Sequence, residues 1–203
     1  MQRHIILASG SPRRKELLAQ MGVKFTVVPS DFDEYLDHDR PAAEVAKELG
    51  LGKARAVAEK YPDALVIGGD TIVTLGGVQL AKTEDIAQAR QWLKDHADQD
   101  VLVTSSVVLM CKATGLARAE ADETIVHFKP YNESVNEAYL QTNDWTDKAG
   151  AWSIQSGAAP LIAYIKGNYD TIVGLPSHLL TALLQEQGVS ANPLRLTPPV
   201  PQR

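Results

Sequence analysis

Short apolar runs bounded by turn residues, alternating with stretches of helical periodicity, constrain the fold of this chain more than any other feature. His4-Ile5-Ile6-Leu7-Ala8 reads as a buried strand, because a strand covered on both faces shows an unbroken apolar run. Ser9-Gly10-Ser11-Pro12 turns into a helix running to about Met21, with Leu17, Leu18 and Met21 facing the core. Ser11 suits the N-cap and Pro12 the first helical position, where a missing N–H is harmless. Residues 24–28 predict a second strand, 31–39 an acidic loop, and 41–61 a long helix. Gly50 and Gly52 lie inside that helix, each costing roughly 1 kcal/mol against alanine, so they require a packing or bending reason.

Residues 64–73 are strand-like around Gly68-Gly69-Asp70, and Gly76-Gly77 suits a hairpin into Val78-Gln79-Leu80. Thr83 is placed to cap a helix over residues 84–96, with Glu84 and Asp85 in its first turn as the helix dipole favours. Residues 101–110 and 119–128 predict a long antiparallel hairpin about Ala113-Thr114-Gly115. Ser134 and Glu137 form a capping box for a helix ending near Thr142, and residues 143–156 read as a loop or broken element. Residues 161–165 and 171–173 suggest a last strand pair about Gly167-Asn168, before a helix over 176–187 stopped by Gly188. The class that results is α/β with a mixed sheet. Residues 1–190 are expected to form the domain, and 191–203, with four prolines, an extended or mobile tail.

The chain has 203 residues, 44% of them hydrophobic and 22% charged, with a net charge of −5. That suits one sizeable domain or two small lobes and excludes disorder of the whole. Runs such as 64–68 and 161–165 are far shorter than the roughly 18 residues of a membrane span, and the first residues lack a signal-peptide apolar region. The lone cysteine, Cys111, allows no internal disulfide and no multi-cysteine zinc site, which fits a reducing compartment. The cytoplasm is therefore the expected location, with no membrane partner. A pI near 5.5 disfavours nucleic-acid polymers, but a small anion needs only a local cluster of cations.

Two local anomalies carry chemistry. Ser11-Pro12-Arg13-Arg14-Lys15 sets three cations at a helix N-terminus, each unfavourable there by roughly 0.3–1 kcal/mol because the free N–H groups already make that end positive. Either the turn is simply solvated, or a phosphate reverses the sign of the interaction. Asp70 stands within the apolar run 65–73, where it either caps backbone amides or faces a cleft, holding Mg²⁺ or deprotonating a water. Lys53, Lys82 and Lys148 are isolated lysines among small residues, each readable as solvated on its own. Ala54 after Gly52-Lys53, with Lys47 at the first glycine position, rules out a Walker A loop, and no GxGxxG after a strand, HExxH or GxSxG occurs.

Taken in order, Leu7-Ala8-Ser9-Gly10-Ser11-Pro12-Arg13-Arg14, Asp33-Glu34, Gly69-Asp70-Thr71, Lys82 with Asp85, Asp147-Lys148-Ala149-Gly150-Ala151, Ile154-Gln155 and Gly174-Leu175-Pro176 resemble the Maf family of septum-formation inhibitor-like proteins. The resemblance spans residues 5–188. It implies a fold similar to the inosine triphosphatases, an elongated mixed sheet with flanking helices and two lobes around a cleft. It also implies a nucleoside triphosphate pyrophosphatase that uses Mg²⁺ or Mn²⁺ and forms a homodimer. Arg13, Thr71 and Gln155 match the subtype preferring dTTP and UTP, in which Gln155 would read a pyrimidine edge.

On the same resemblance Asp70 is the general base and a metal ligand, and Glu34 a second metal or water-positioning carboxylate. Lys82 is a catalytic cation, while Ser9, Ser11, Arg13, Arg14, Lys53, Thr71 and Lys148 join Gln155 as substrate contacts. The alternative the family name suggests is a non-catalytic nucleotide-binding regulator of cell division. This chain departs from the family at Lys82-Thr83, at Ser156, at Asp98 and Asp100, and at Thr104-Ser105-Ser106, where a Thr-Gly or Thr-Ala pattern is usual.

Overall fold

The structure is a computed structural model and describes residues 3–33 and 40–203. In chain order its elements are β1 (Ile5–Leu7), α1 (Pro12–Gln20), β2 (Thr26–Val27), α2 (Ala42–Ala58), β3 (Leu65–Gly68), β4 (Thr71–Leu75), β5 (Val78–Leu80) and α3 (Ile86–His96). They continue with β6 (Asp100–Cys111), β7 (Leu116–Phe128), α4 (Glu133–Leu140), β8 (Ile162–Lys166), α5 (Tyr169–Val173) and α6 (Ser177–Glu186). Helices alternate with strands that pair both parallel and antiparallel, which is the mixed α/β class predicted.

The chain divides into two compact units, one of Met1–Thr71, Thr104–Asp122 and Asp170–Leu196, the other of Ile72–Val103, Glu123–Tyr169 and Thr197–Arg203. In the first unit β1 pairs parallel with β2 and β3, and β3 antiparallel with β6. β1 and β3 are buried at every position, as their unbroken apolar runs require. Helix α2 packs on them through Ala54, Val57 and Ala58, against Ile6, Val66 and Val108. Each fully buried aliphatic side chain of this kind contributes roughly 1.5–3 kcal/mol.

The glycines of α2 have a packing reason. A Cβ on Gly50 would stand 2.9 Å from Ser106 Oγ and 3.1 Å from Gly69 Cα, and one on Gly68 only 2.5 Å from the Gly50 carbonyl oxygen. Helix and strand thus meet backbone to backbone, along a seam that any side chain would open. Gly52 is covered by the Phe32 ring, whose Cζ lies 2.4 Å from where its Cβ would be.

In the second unit β4 and β5 form the expected hairpin, β7 pairs antiparallel with β8, and a bidentate Arg90–Glu137 pair at 2.5 and 2.8 Å joins α3 to α4. Three local expectations are corrected. The cap of α3 is Asp85, whose Oδ1 accepts from the Ala87 N–H at 2.8 Å, while Thr83 accepts from Asp85. The cap of α4 is Asn132, not Ser134. Residues 171–173, read as strand, belong to α5.

The proline-rich tail is hydrogen-bonded near both of its ends. In the first unit the N–H groups of Asn192 and Leu194 donate to Met21 O and Ser177 Oγ at 3.2 and 2.8 Å. In the second, Pro201 and Arg203 bond both sides of Ile165 in β8 at 2.9 Å, and the Arg203 guanidinium stacks on Tyr164.

Candidate active site

β1 leads through Ala8 and Ser9 into the α1 cap, where Ser11 Oγ accepts from the Arg14 N–H and Pro12 occupies the first turn, as predicted. No acidic residue offsets the cations of that turn, so its positive end is open to an anion. The two arginines differ in placement. Arg14 turns inward, donating from Nε to Gly174 O at 2.8 Å, from Nη1 to Ser9 Oγ at 3.3 Å and from Nη2 to Thr71 Oγ1 at 2.9 Å. Arg13 is half-exposed and has no hydrogen-bond or ion-pair partner among the described residues.

The direction of the hydroxyl chain beneath Arg14 follows from its proton count. Ser105 donates its one proton to Thr171 O at 2.7 Å, so at the 2.8 Å contact Thr71 donates to Ser105. Thr71, expected among the substrate contacts, has its hydroxyl between Arg14 and Ser105. The Gly174 carbonyl is fixed in turn by Asp170. That buried residue accepts the Gly174 and Leu175 N–H groups on its own carbonyl and binds Ser177, at the start of α6, through its carboxylate.

Asp70 lies where β3 ends and β4 begins, 8% exposed. Its Oδ1 meets Lys53 Nζ at 2.5 Å, and Lys53, solvated on a local reading, is itself 9% exposed. Helix α2 delivers Lys53 to that depth only because the Gly50, Gly68 and Gly69 seam lets it lie against the strand corner. The second carboxylate oxygen of Asp70 has no hydrogen-bond partner among the described residues. A buried carboxylate anchored by one oxygen and presenting the other suits a general base or a hard cation ligand. Glu34 lies outside the described residues.

The second unit holds the remaining expected residues. Lys82 and Ala149 form an antiparallel bridge, Gly150 N–H donates to Ala81 O at 3.1 Å, and Lys82 Nζ contacts Asp147 at 2.8 Å with both side chains mostly exposed. An exposed pair of this kind holds its partners weakly, so a phosphate can displace it. Lys148, half-buried, donates to Thr146 O at 3.1 Å. The loop is backbone-strained, with Asp147 and Ala151 at φ of 55° and 60°.

Beneath the loop His96 is fully buried, neither ring nitrogen makes a well-formed hydrogen bond among the described residues, and burial pulls its pKa down to about 4. Gln155 is exposed at the tip of a turn in which the Ser156 and Ala158 N–H groups both donate to Ser153 O at 3.1 Å. The Tyr139 hydroxyl accepts the Ser153 N–H at 3.0 Å, and burial raises that phenol well above its ordinary range.

Sequence reasoning noted Ser105 and Ser106 only as departures and gave neither a role. The available signal was two hydroxyls inside an apolar strand, since a buried hydroxyl needs partners.

Similarity to known proteins agrees with this picture. The chain is 41% identical over 186 residues to a dTTP/UTP pyrophosphatase of Symbiobacterium thermophilum, covering 92% of this chain and 95% of that one. It is 41% identical to proteins of the same name from Deinococcus radiodurans and Halalkalibacterium halodurans, over 92% of this chain and 94% and 97% of theirs. The Maf-like protein family model matches residues 4–187. With its opening cap, Asp70 corner and lysine loop inside that match, the chain belongs to the Maf family.

Proposed function

We propose that this chain hydrolyses the α–β phosphoanhydride of dTTP and UTP, releasing the nucleoside monophosphate and pyrophosphate. The observation that carries the reading is Asp70: a buried carboxylate fixed through one oxygen by Lys53 at 2.5 Å, with its other oxygen unpartnered among the described residues. Asp70 accepts the proton of the attacking water as its oxygen bonds to phosphorus and the bridging bond to pyrophosphate breaks. Arg13 and the α1 N-terminus bind phosphate, Arg14 and Thr71 hold that corner in shape, and Ser9 and Ser11 order the turn. Lys82 and Lys148 stabilise charge on the phosphates. Gln155, whose amide offers both a donor and an acceptor, reads the pyrimidine edge.

Mg²⁺ or Mn²⁺ suits these residues. No group of three potential ligands occurs among the described residues, which fits a cation held by one or two carboxylates and completed by substrate phosphates and water. Asp70, through its second oxygen, and Glu34 would hold it, and the ion would supply neutralisation of the phosphates and acidification of water. No helix among the described residues is long and apolar enough to cross a membrane. The lone cysteine fits a reducing compartment, so we place the protein in the cytoplasm, as a homodimer by family likeness.

The test is a panel of nucleoside triphosphates with Mg²⁺ or Mn²⁺, assayed for pyrophosphate and monophosphate. Preferential turnover of UTP and dTTP to equimolar products is expected. Release of orthophosphate overturns the reaction, and nucleotide binding without turnover supports the regulator of cell division instead.

A further inference from the structure

Ser106, on β6, is fully buried and bonds Asp70 at two points and α2 at a third. Its N–H donates to Asp70 O at 2.9 Å, and its Oγ accepts from the Asp70 N–H at 3.0 Å. Having accepted there, the hydroxyl sends its one proton to Ala46 O on α2 at 2.7 Å. Ala46 precedes Lys53 on the same helix, and Lys53 closes the circuit on Asp70 Oδ1 at 2.5 Å. One side chain therefore ties the backbone of the carboxylate to the helix that carries its cation. The surroundings are shaped for it: a Cβ on Gly50 would fall 2.9 Å from Ser106 Oγ, and one on Gly69 2.4 Å from the Ser106 carbonyl oxygen.

We propose that Ser106 is a positioning residue for hydrolysis, holding Asp70 and α2 in the one register that presents the second Asp70 oxygen. It acts only through Asp70, and the proposal rests on the reading of Asp70 as the base.

The experiment compares Ser106→Ala, Gly50→Ala and Val57→Ala in the full chain by kcat and KM for UTP and by thermal denaturation. Val57 is a core residue of the same helix whose side chain makes none of these hydrogen bonds, and it reports simple destabilisation. Ser106→Ala is expected to lower kcat about tenfold to a hundredfold, the scale of a small misplacement of a reacting group, with KM within about twofold. Gly50→Ala, which removes no polar atom and presses on Ser106 Oγ at 2.9 Å, Val108 at 3.0 Å and Gly69 Cα at 3.1 Å, should give the same kcat-selective loss, and Val57→Ala should not.

In an Asp70→Asn background Ser106→Ala should lower kcat no further. If Asp70→Asn keeps wild-type turnover, the reading of Asp70 fails. If Asp70→Asn is inactive while the Ser106 and Gly50 variants keep kcat within twofold, or lose no more than a Val57 variant of equal stability, the positioning role alone is refuted. Should Ser106→Ala not fold, the Gly50 variant decides.

Discussion

Replacing Lys53 by methionine, which keeps the length of the stem and deletes the charge, strips Asp70 of this cation in a site only 8% exposed. At 2.5 Å the pair attracts by about 7 kcal/mol at an effective dielectric constant near 20. Desolvation of both ions opposes most of that, so the intact pair contributes little net stability, whereas one abandoned charge costs about 3–5 kcal/mol. The slight exposure lets water approach, and the expected loss is near about 3 kcal/mol. For a chain of this size that is a fall in Tm of roughly 6–12 °C.

Asp70→Asn removes the other charge, and the double variant Lys53→Met with Asp70→Asn abandons neither. The double variant should therefore recover more than half of the stability lost by Lys53→Met, a coupling of at least about 1.5 kcal/mol in denaturant titrations. Additive losses in the four-protein cycle would refute the claim that each charge is buried for the sake of the other.

Three further outcomes are expected. Gly68→Ala forces a Cβ to 2.5 Å from the Gly50 carbonyl oxygen and 2.9 Å from Ala54 Cβ, so urea unfolding should show a loss of about 1–3 kcal/mol; an unchanged midpoint would contradict the seam. Arg13→Ala should raise KM for UTP about tenfold with Tm nearly unchanged, whereas Arg14→Ala, which removes the donors to a carbonyl and two hydroxyls, should cost about 1–3 kcal/mol of stability; the reverse order would contradict their separation.

His96 stays neutral when folded down to about pH 4, but protonates near 6.5 when unfolded. The unfolded chain therefore binds the extra proton between those values, and stability must fall with pH through that window by up to about 3 kcal/mol. Urea titrations of His96→Leu should show a shallower fall than the wild type, and equal slopes would refute the assignment.

What the sequence exposed was local. Ser11 and Pro12 announce their own helix start, and an aspartate ending an apolar run advertises the Asp70 corner, because caps and periodicity are decided within a few residues. Helix caps failed where two candidates stood within three positions: Thr83 and Asp85 both cap something, and only the backbone path decides that Asp85 meets Ala87.

The β-branched run 171–173 favours strand, but Asp170 gathers the N–H groups of Gly174, Leu175 and Ser177, and that closure imposes a helical turn. Lys53 looked like any solvated lysine, since the glycines that sink its helix are spread over 50, 68 and 69. Arg13 and Arg14 are neighbours of the same type, and only contacts with Thr71 and Gly174, far off in sequence, distinguish the inward-turned side chain from the more open one.

The central claim is that Asp70 withdraws a proton from water as the α–β bond of a pyrimidine triphosphate breaks. Its most direct test is the initial rate of UMP and pyrophosphate release from UTP with Mg²⁺, measured for the wild type and for Asp70→Asn confirmed to be folded. Equimolar products from the wild type are expected, with kcat lower by about 10²–10⁴ in the variant and KM little changed. Turnover by folded Asp70→Asn at the wild-type rate would contradict the account.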